Sequence, residues 1–429
     1  MNYEQTLQYL YSRLPMFSKL GASAIKKDIT NTITLCERLD NPQSKFKTIH
    51  VAGTNGKGSV SHMLAAIFQQ AGYKTGLYTS PHLRDFRERI RINGEVIPEI
   101  TVVEFVRDLQ ETIEEIEPSF FEVTVAMAFQ HFYKEQVDVA IIEVGLGGRL
   151  DSTNIISPLL SIITNIGYDH TDILGTTLPE IAFEKAGIIK PNIPVVIGES
   201  HPETEAVFRE KAEENSSEIC FAEDEWQVDI NHDDQSDSLN LEVNQISTGK
   251  TLHLKLDLKG SYQVKNVSTV LSAIELLKFQ GFNLTAKHIE EGLSHITSLT
   301  GLMGRWQTIG TNPLIICDTG HNEHGIREVI KNIAATNFKH LHMVIGMVKD
   351  KDITKILSLL PVNARYYFCE PDIKRAKPAE DLAKEAEAYD LKGDFYPGVK
   401  EAYNSAKEQA GSEDMIFVGG STFVVAEIV

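Results

Sequence analysis

A chain of 429 residues is too long for one ordinary hydrophobic core, and it sets an expectation of two domains or three. Its 42% hydrophobic and 24% charged content is that of a globular protein, and a formal net charge of −19 argues against general binding to nucleic acid or to an anionic membrane. An anionic substrate would need local basic pockets, so single Lys and Arg residues in loops carry more information than the total.

Residues 2–14 and 24–39 have the apolar spacing of helices, joined by a loop at 15–22. The first 14 residues are polar and amphipathic with no signal-peptide core, and no apolar run in the chain reaches membrane-spanning length. Cys36, Cys220, Cys317 and Cys369 lack CxxC spacing, which fits a reduced, cytoplasmic setting better than a disulfide framework or a zinc site. Cys317 and Cys369 lie in apolar strand-like runs and read as buried thiols.

The rest of the chain is organised around residues 48–59, which read Thr-Ile-His-Val-Ala-Gly-Thr-Asn-Gly-Lys-Gly-Ser. Residues 48–52 form a buried strand and 60–71 a helix, with Gly53, Gly56 and Gly58 in the turn and Lys57 near the helix start. Such a turn offers backbone N–H groups and the positive end of a helix dipole to an anion, and the lysine suits the outer phosphates of a nucleotide. The spacing departs from the usual phosphate-loop pattern, which wants Gly where Val51 stands and Ser or Thr where Gly58 stands. The context of strand, loop and helix carries the reading.

A second strand at 74–79 ends in Ser80-Pro81-His82-Leu83, and a charged segment follows at 84–91. Residues 98–117 and 122–136 have helical spacing, the latter more apolar. The strand at 137–144 opens onto Gly145-Leu146-Gly147-Gly148-Arg149-Leu150-Asp151. The next, at 159–165, leads to Gly167-Tyr168-Asp169-His170. A helix at 181–188 carries Glu184 and Lys185, and 194–198 is another strand. Nearly continuous apolar strands alternating with helices predict an α/β fold, a P-loop-type doubly wound parallel sheet. Residues 220–258 turn acidic and then alternate as Leu-His-Leu-Lys-Leu-Asp-Leu, the pattern of antiparallel strands in a small side sheet at about 220–260. A helix follows at 266–279, then a linker at 297–304. Strands at 314–317, 341–346, 366–369 and 415–418 predict a smaller, Rossmann-like α/β domain, giving domains at 1–298 and 299–429.

In a doubly wound sheet ligands sit beyond the carboxyl ends of the strands, so the four loops named above should converge on one crevice. Ser80, Glu143 and His170 offer it a hydroxyl, a carboxylate and an imidazole. Mg²⁺ on a nucleotide commonly takes one or two protein ligands, for which histidine is an unusual choice. Glu143 stands in an apolar strand, where an unpaired charge is costly, which favours a functional role over a structural one. For Ser80 and His170 the residues alone leave both readings open. Lys185 read alone is a solvated helix lysine beside Glu184.

The runs Gly53-Thr-Asn-Gly-Lys-Gly-Ser59, Tyr78-Thr-Ser-Pro-His-Leu83, Glu143-Val-Gly-Leu-Gly-Gly-Arg-Leu-Asp-Ser-Thr-Asn154, Asp169-His170, Phe183-Glu-Lys-Ala-Gly-Ile188 and Asp318-Thr-Gly-His-Asn322 together resemble the folylpolyglutamate synthases. Bacterial members of that family are often also dihydrofolate synthases, and the family belongs with the Mur ligases. The matches extend from Gly53 to Ser421, and the displaced phosphate-loop spacing is the family's own variant. The resemblance implies that Gly53, Thr54, Asn55, Gly56, Lys57, Gly58 and Ser59 hold ATP, with Asn266, Arg305 and Asp318 also contacting it. It implies Mg²⁺, two ions in all, at Ser80, Glu143 and His170, and at Lys185 if carbamylated by CO₂. Lys57, Lys185 and His321 are the implied catalytic residues, His321 near the amino-acid site. Phe121, Glu122, Leu150, Asp151 and Ser152 stand where a pteroate-type substrate would lie. The second-domain motif departs from the usual Asp-Gly-Ala-His-Asn, which puts the loop's conformation in question.

The implied reaction is ATP-dependent ligation of L-glutamate to a folate through an acyl phosphate, with ATP, glutamate and folate or pteroate as small-molecule partners and nothing demanding more than a monomer. Two alternatives stand beside it. A Mur-type ligase for a cell-wall nucleotide is disfavoured because two helices and a loop, with no obvious nucleotide-sugar domain, precede the phosphate loop. A nucleotide-dependent switch would explain that loop but not the other chemistry-bearing loops.

Overall fold

In the computed structural model, which describes residues 1–16, 21, 28–231, 238–349 and 353–429, the apolar run before the glycine loop lies inside a sheet. The strands of this sheet are β1 (Lys47–Ala52), β2 (Thr75–Tyr78), β3 (Ile90–Ile92), β4 (Glu95–Val96), β5 (Val139–Glu143), β6 (Leu160–Ile163), β7 (Val195–Ile197) and β8 (Ile219–Phe221). Their order is β4-β3-β2-β5-β1-β6-β7-β8. From β2 to β8 all pairings are parallel. β3 and β4 add an antiparallel edge, turned by Asn93 and Gly94 at φ 49° and 82°. An Asn-Gly pair at positive φ is the signature of a tight hairpin, so the charged segment at 84–91 leads into strand rather than loop.

Two apolar cores pack against the sheet. One joins Ala140 and Ile142 to Phe105 and Phe129, from the helices Glu99–Ile116 and Phe120–Lys134. The other joins Ala52, Ile163 and Val195 to Ala182 and Phe208, from the helices Leu178–Ala186 and Pro202–Glu214. Capping sets the helix starts. Ser119 and Glu122 form a capping box before Phe120, and Thr177 and Glu180 form another before Leu178, three residues ahead of the expected start. At the N-terminus the helix is Tyr3–Arg13, capped by Asn2. The next described helix is Thr30–Arg38; most of the expected 15–22 loop and residues 24–27 of the expected second helix lie outside the described residues.

The alternating segment forms a separate antiparallel sheet of β9 (Trp226–Asn231), β10 (Leu239–Gln245) and β11 (Thr251–Leu256). A long helix, Gln263–Phe279, follows it.

The chain divides into two compact units, Met1–Asp257 with Gln263–Leu302, and Leu258–Tyr262 with Met303–Val429. The segment expected as a linker is partly helical, Ile296–Thr300, and ends at Gly301 in the left-handed region, φ 68°. The second unit holds β12 (Gln307–Thr311), β13 (Leu314–Asp318), β14 (Leu341–Ile345), β15 (Arg365–Cys369), β16 (Gly393–Tyr396) and β17 (Met415–Gly419), ordered β12-β13-β17-β14-β15-β16. All pairings are parallel except that of the edge strand β12. The four cysteines are free thiols, with Cys36, Cys317 and Cys369 buried. Among the described residues no helix is long and apolar enough to cross a membrane.

Candidate active site

The strand order places β2, β5, β1 and β6 side by side, so the loops leaving Tyr78, Glu143, Ala52 and Ile163 share one edge of the sheet. At its centre the glycine loop enters a helix at Lys57, earlier than the expected residue 60. Gly56 makes the entry at φ 85°, and a Cβ there would lie 2.4 Å from Asn266 Oδ1. Only glycine fits that turn. The loop is braced from β6. Asn165 O accepts from Thr54 N at 2.9 Å, Asn165 Oδ1 accepts from Asn55 N at 2.8 Å, and Thr164 Oγ1 donates to Asn55 O at 2.5 Å. Gly58 and Ser59 are buried in the first helical turn. Gln263 Nε2 donates to Ser59 Oγ at 3.2 Å, and Gln263 Oε1 accepts from Asn266 Nδ2 at 2.7 Å. Thr164, Asn165 and Gln263 carry no signal in the sequence that would single them out.

Two lysines meet at one carbonyl. Gly53 O accepts from Lys57 Nζ at 3.0 Å and from Lys185 Nζ at 2.9 Å, and Lys57 also reaches Thr54 O at 3.1 Å. Lys185 is buried. Burial first, and the Lys57 charge second, push its ammonium down to about 7, against the opposing charges of Asp169 and Asp151. It is therefore not the solvated partner of Glu184, whose carboxylate pairs with Arg149 at 2.8 Å.

Glu143 is buried at the end of β5, and its Oε2 accepts from Ser80 N at 3.2 Å. A carboxylate and a hydroxyl-bearing turn on adjacent strand ends supply the hard oxygens a divalent cation prefers, leaving its other positions to phosphate and water. Among the described residues no three His, Cys, Asp or Glu side chains form a ready-made metal cluster. His170 precedes the short helix Thr171–Leu174 at φ 52°, with Nε2 3.8 Å from Asp169 Oδ2. Asp169 in turn acts electrostatically on Lys185, which ties this loop to the lysine pair.

The residues expected around a pteroate divide by what they touch. The half-buried Phe121 packs against Gly145, and its ring centroid lies 6.1 Å from that of Tyr78. Leu150 is half-buried. Glu122 spends its carboxylate on Ser119 N at 2.5 Å and Asn31 Nδ2 at 3.3 Å. Asp151 is buried and accepts from Leu146 N at 2.9 Å, Thr153 N at 3.0 Å and Thr153 Oγ1 at 2.5 Å, while Ser152 opens the turn Ser152–Ile155. Phe121 and Leu150 thus offer apolar surface, whereas Glu122 and Asp151 hold their own loops in shape.

In the second unit Asp318 ends β13, buried. Its carboxylate accepts from Tyr262 Oη at 2.6 Å, Trp306 N at 2.8 Å and Gly320 N at 2.7 Å. Thr319, in the part of the motif that departs from the usual pattern, has a function of its own: its hydroxyl donates to Gly304 O at 3.2 Å and accepts from Arg305. His321 Nδ1 donates to Thr319 O at 2.9 Å, which fixes its tautomer, and Asn322 caps the helix Glu323–Ala334.

Two family descriptions match the chain: "Mur ligase middle domain" over residues 51–274 and "Mur ligase, glutamate ligase domain" over residues 304–422. The Bacillus subtilis dihydrofolate synthase/folylpolyglutamate synthase is 31% identical, over 99% of this chain and 98% of its own length. A Haloferax volcanii relative is 30% identical over the whole chain, which spans 50% of that longer protein. Among solved structures, Escherichia coli FolC in complex with DHPP and ADP is 30% identical with a TM-score of 0.87, covering 100% of this chain and 97% of that one. A bifunctional folylpolyglutamate synthase/dihydrofolate synthase with Mn, AMPPNP and L-glutamate bound is 28% identical with a TM-score of 0.84, covering 100% and 97%.

Proposed function

Because the chain belongs to the folylpolyglutamate synthase/dihydrofolate synthase family of Mur-type ligases, we propose that it uses ATP to join L-glutamate to the carboxylate of tetrahydrofolate, and that dihydropteroate is a second acceptor. The observation that carries the reading is the row of four neighbouring strand ends, which bears the glycine loop, the Ser80–Glu143 contact and the two lysines at Gly53 O.

The acceptor carboxylate attacks the γ-phosphorus of ATP; an O–P bond forms, ADP departs and an acyl phosphate results. The glutamate nitrogen then attacks the acyl carbon, phosphate leaves and the surplus amine proton passes to solvent. Bringing anions together is the main obstacle, so the protein's contribution is electrostatic. The N–H groups of Gly56, Lys57, Gly58 and Ser59 cradle the triphosphate, with Gly53, Thr54 and Asn55 shaping the loop behind them through Asn165, and Lys57 turns from Gly53 O to the outer phosphates. Asn266, Arg305 and Asp318 contact the nucleotide, His321 lies by the amino acid, and Phe121 and Leu150 flank the pterin, with Glu122, Asp151 and Ser152 shaping the loops around it. Ser80, Glu143 and His170 would hold Mg²⁺, which would neutralise charge building on the phosphate oxygens. Lys185, buried and crowded by Lys57, is suited to losing its ammonium proton to solvent; the free amine then adds to CO₂, an N–C bond forming as one C=O bond opens onto oxygen and a second proton leaving from nitrogen, and the resulting carbamate would supply oxygens for a second Mg²⁺.

The test is phosphate release from ATP and Mg²⁺ with glutamate, comparing tetrahydrofolate, dihydropteroate and no acceptor. Release should need glutamate and either acceptor; release indifferent to both acceptors would overturn the ligase reading.

A further inference from the structure

One buried cation lies beside the Ser80–Glu143 contact without belonging to it. Arg89 ends the turn Phe86–Arg89 just before β3 and is only 8% exposed. Its Nε donates to His82 Nδ1 at 2.8 Å, and its carbonyl accepts from Thr79 N at 3.0 Å. Those two contacts grip the chain on either side of Ser80. The guanidinium lies 5.3 Å from the Phe120 ring centroid, interacts with the Tyr78 hydroxyl and is within electrostatic reach of the Glu143 carboxylate. Since an arginine stays charged and donates in a rigid planar fork, this one can orient two partners at once.

We propose that Arg89 and His82 form a positioning pair that holds the Ser80 turn against Glu143 and so sets the metal affinity of the nucleotide site. The inference rests on the reading of Ser80 and Glu143 as metal-holding residues. His82 is the more informative half, because its ring serves as the acceptor that keeps Arg89 aimed. Partners of this kind, one step removed from a metal ligand, typically alter metal affinity about 10- to 100-fold.

The experiment measures Mn²⁺ bound to the full chain with a non-hydrolysable ATP analogue, from the spin-resonance signal of free Mn²⁺. His82→Phe keeps a flat ring but removes the acceptor, so it should weaken Mn²⁺ binding about tenfold while the circular-dichroism spectrum at the assay temperature stays that of the folded chain. His82→Asn, whose Oδ1 can stand in for Nδ1, should bring binding back to within about twofold of wild type, as a conservative acceptor replacement. Wild-type binding in His82→Phe, or equal loss in both variants, would overturn the pair. Glu143→Gln is the control for the underlying reading. If it binds Mn²⁺ as tightly as wild type, the metal site itself is misplaced; if it alone loses binding, only the positioning pair fails.

Discussion

Tyr262→Phe tests how the second unit is held together. The hydroxyl removed is one of three donors to the Asp318 carboxylate, at 2.6 Å, and the ring that remains leaves no cavity. A hydrogen bond to a charged group is worth about 1.5–3 kcal/mol, and the half-buried position of Tyr262 favours the lower end. With a urea slope of about 2 kcal/mol per molar, a loss of about 1.5 kcal/mol lowers the unfolding midpoint by roughly 0.8 M. The chain has two tryptophans, Trp226 in the first unit and Trp306 in the second, so a Trp226→Phe background leaves fluorescence reporting on the second unit alone. Burial and the neighbouring Asp318 hold the Tyr262 phenol well above its usual range. Its contribution is therefore complete below about pH 10, where the unfolded phenol ionises, and is lost as pH rises beyond that. The phenylalanine variant should lack this part of the alkaline loss. An unchanged midpoint at neutral pH, or an alkaline profile identical to the parent's, would refute the reasoning.

Lys57→Ala should keep its circular-dichroism spectrum and thermal midpoint while phosphate release falls at least about 100-fold, the cost of losing a preorganised charge at a developing anion. Asn165→Ala removes the acceptor for Asn55 N, so the KM for ATP should rise about tenfold, the equivalent of about 1.4 kcal/mol, in steady-state assays at saturating folate. In Gly145→Ala the new Cβ would stand 2.5 Å from a Phe121 ring atom; the ring must shift, and the KM for folate should rise while that for ATP holds.

The parallel strands were legible because they are buried on both faces and read as continuous apolar runs, as in β1 and β5. β12 and β16 escaped notice because their residues are half-buried or exposed and form no such run. The Asn93-Gly94 turn was a readable signal that the charges around it concealed. The braces of the site were not readable at all. Asn165 meets Asn55 across 110 positions, Gln263 meets Ser59 across 204, and Tyr262 meets Asp318 across 56. No local pattern specifies such partners; only the completed fold does. Lys185 shows the same limit, since helical spacing allows it water beside Glu184, and the packing against Gly53 decides otherwise.

The five residues Leu258–Tyr262 make the second unit discontinuous in the gene. A fragment begun at Met303 would omit Tyr262, one of the three donors to Asp318, and also Ser261, whose N–H donates to Asn332 Oδ1 at 2.9 Å. Dissecting this enzyme into halves, or grafting its glutamate-ligase portion onto another scaffold, calls for splicing in that pentapeptide or a substitute for its two hydrogen bonds.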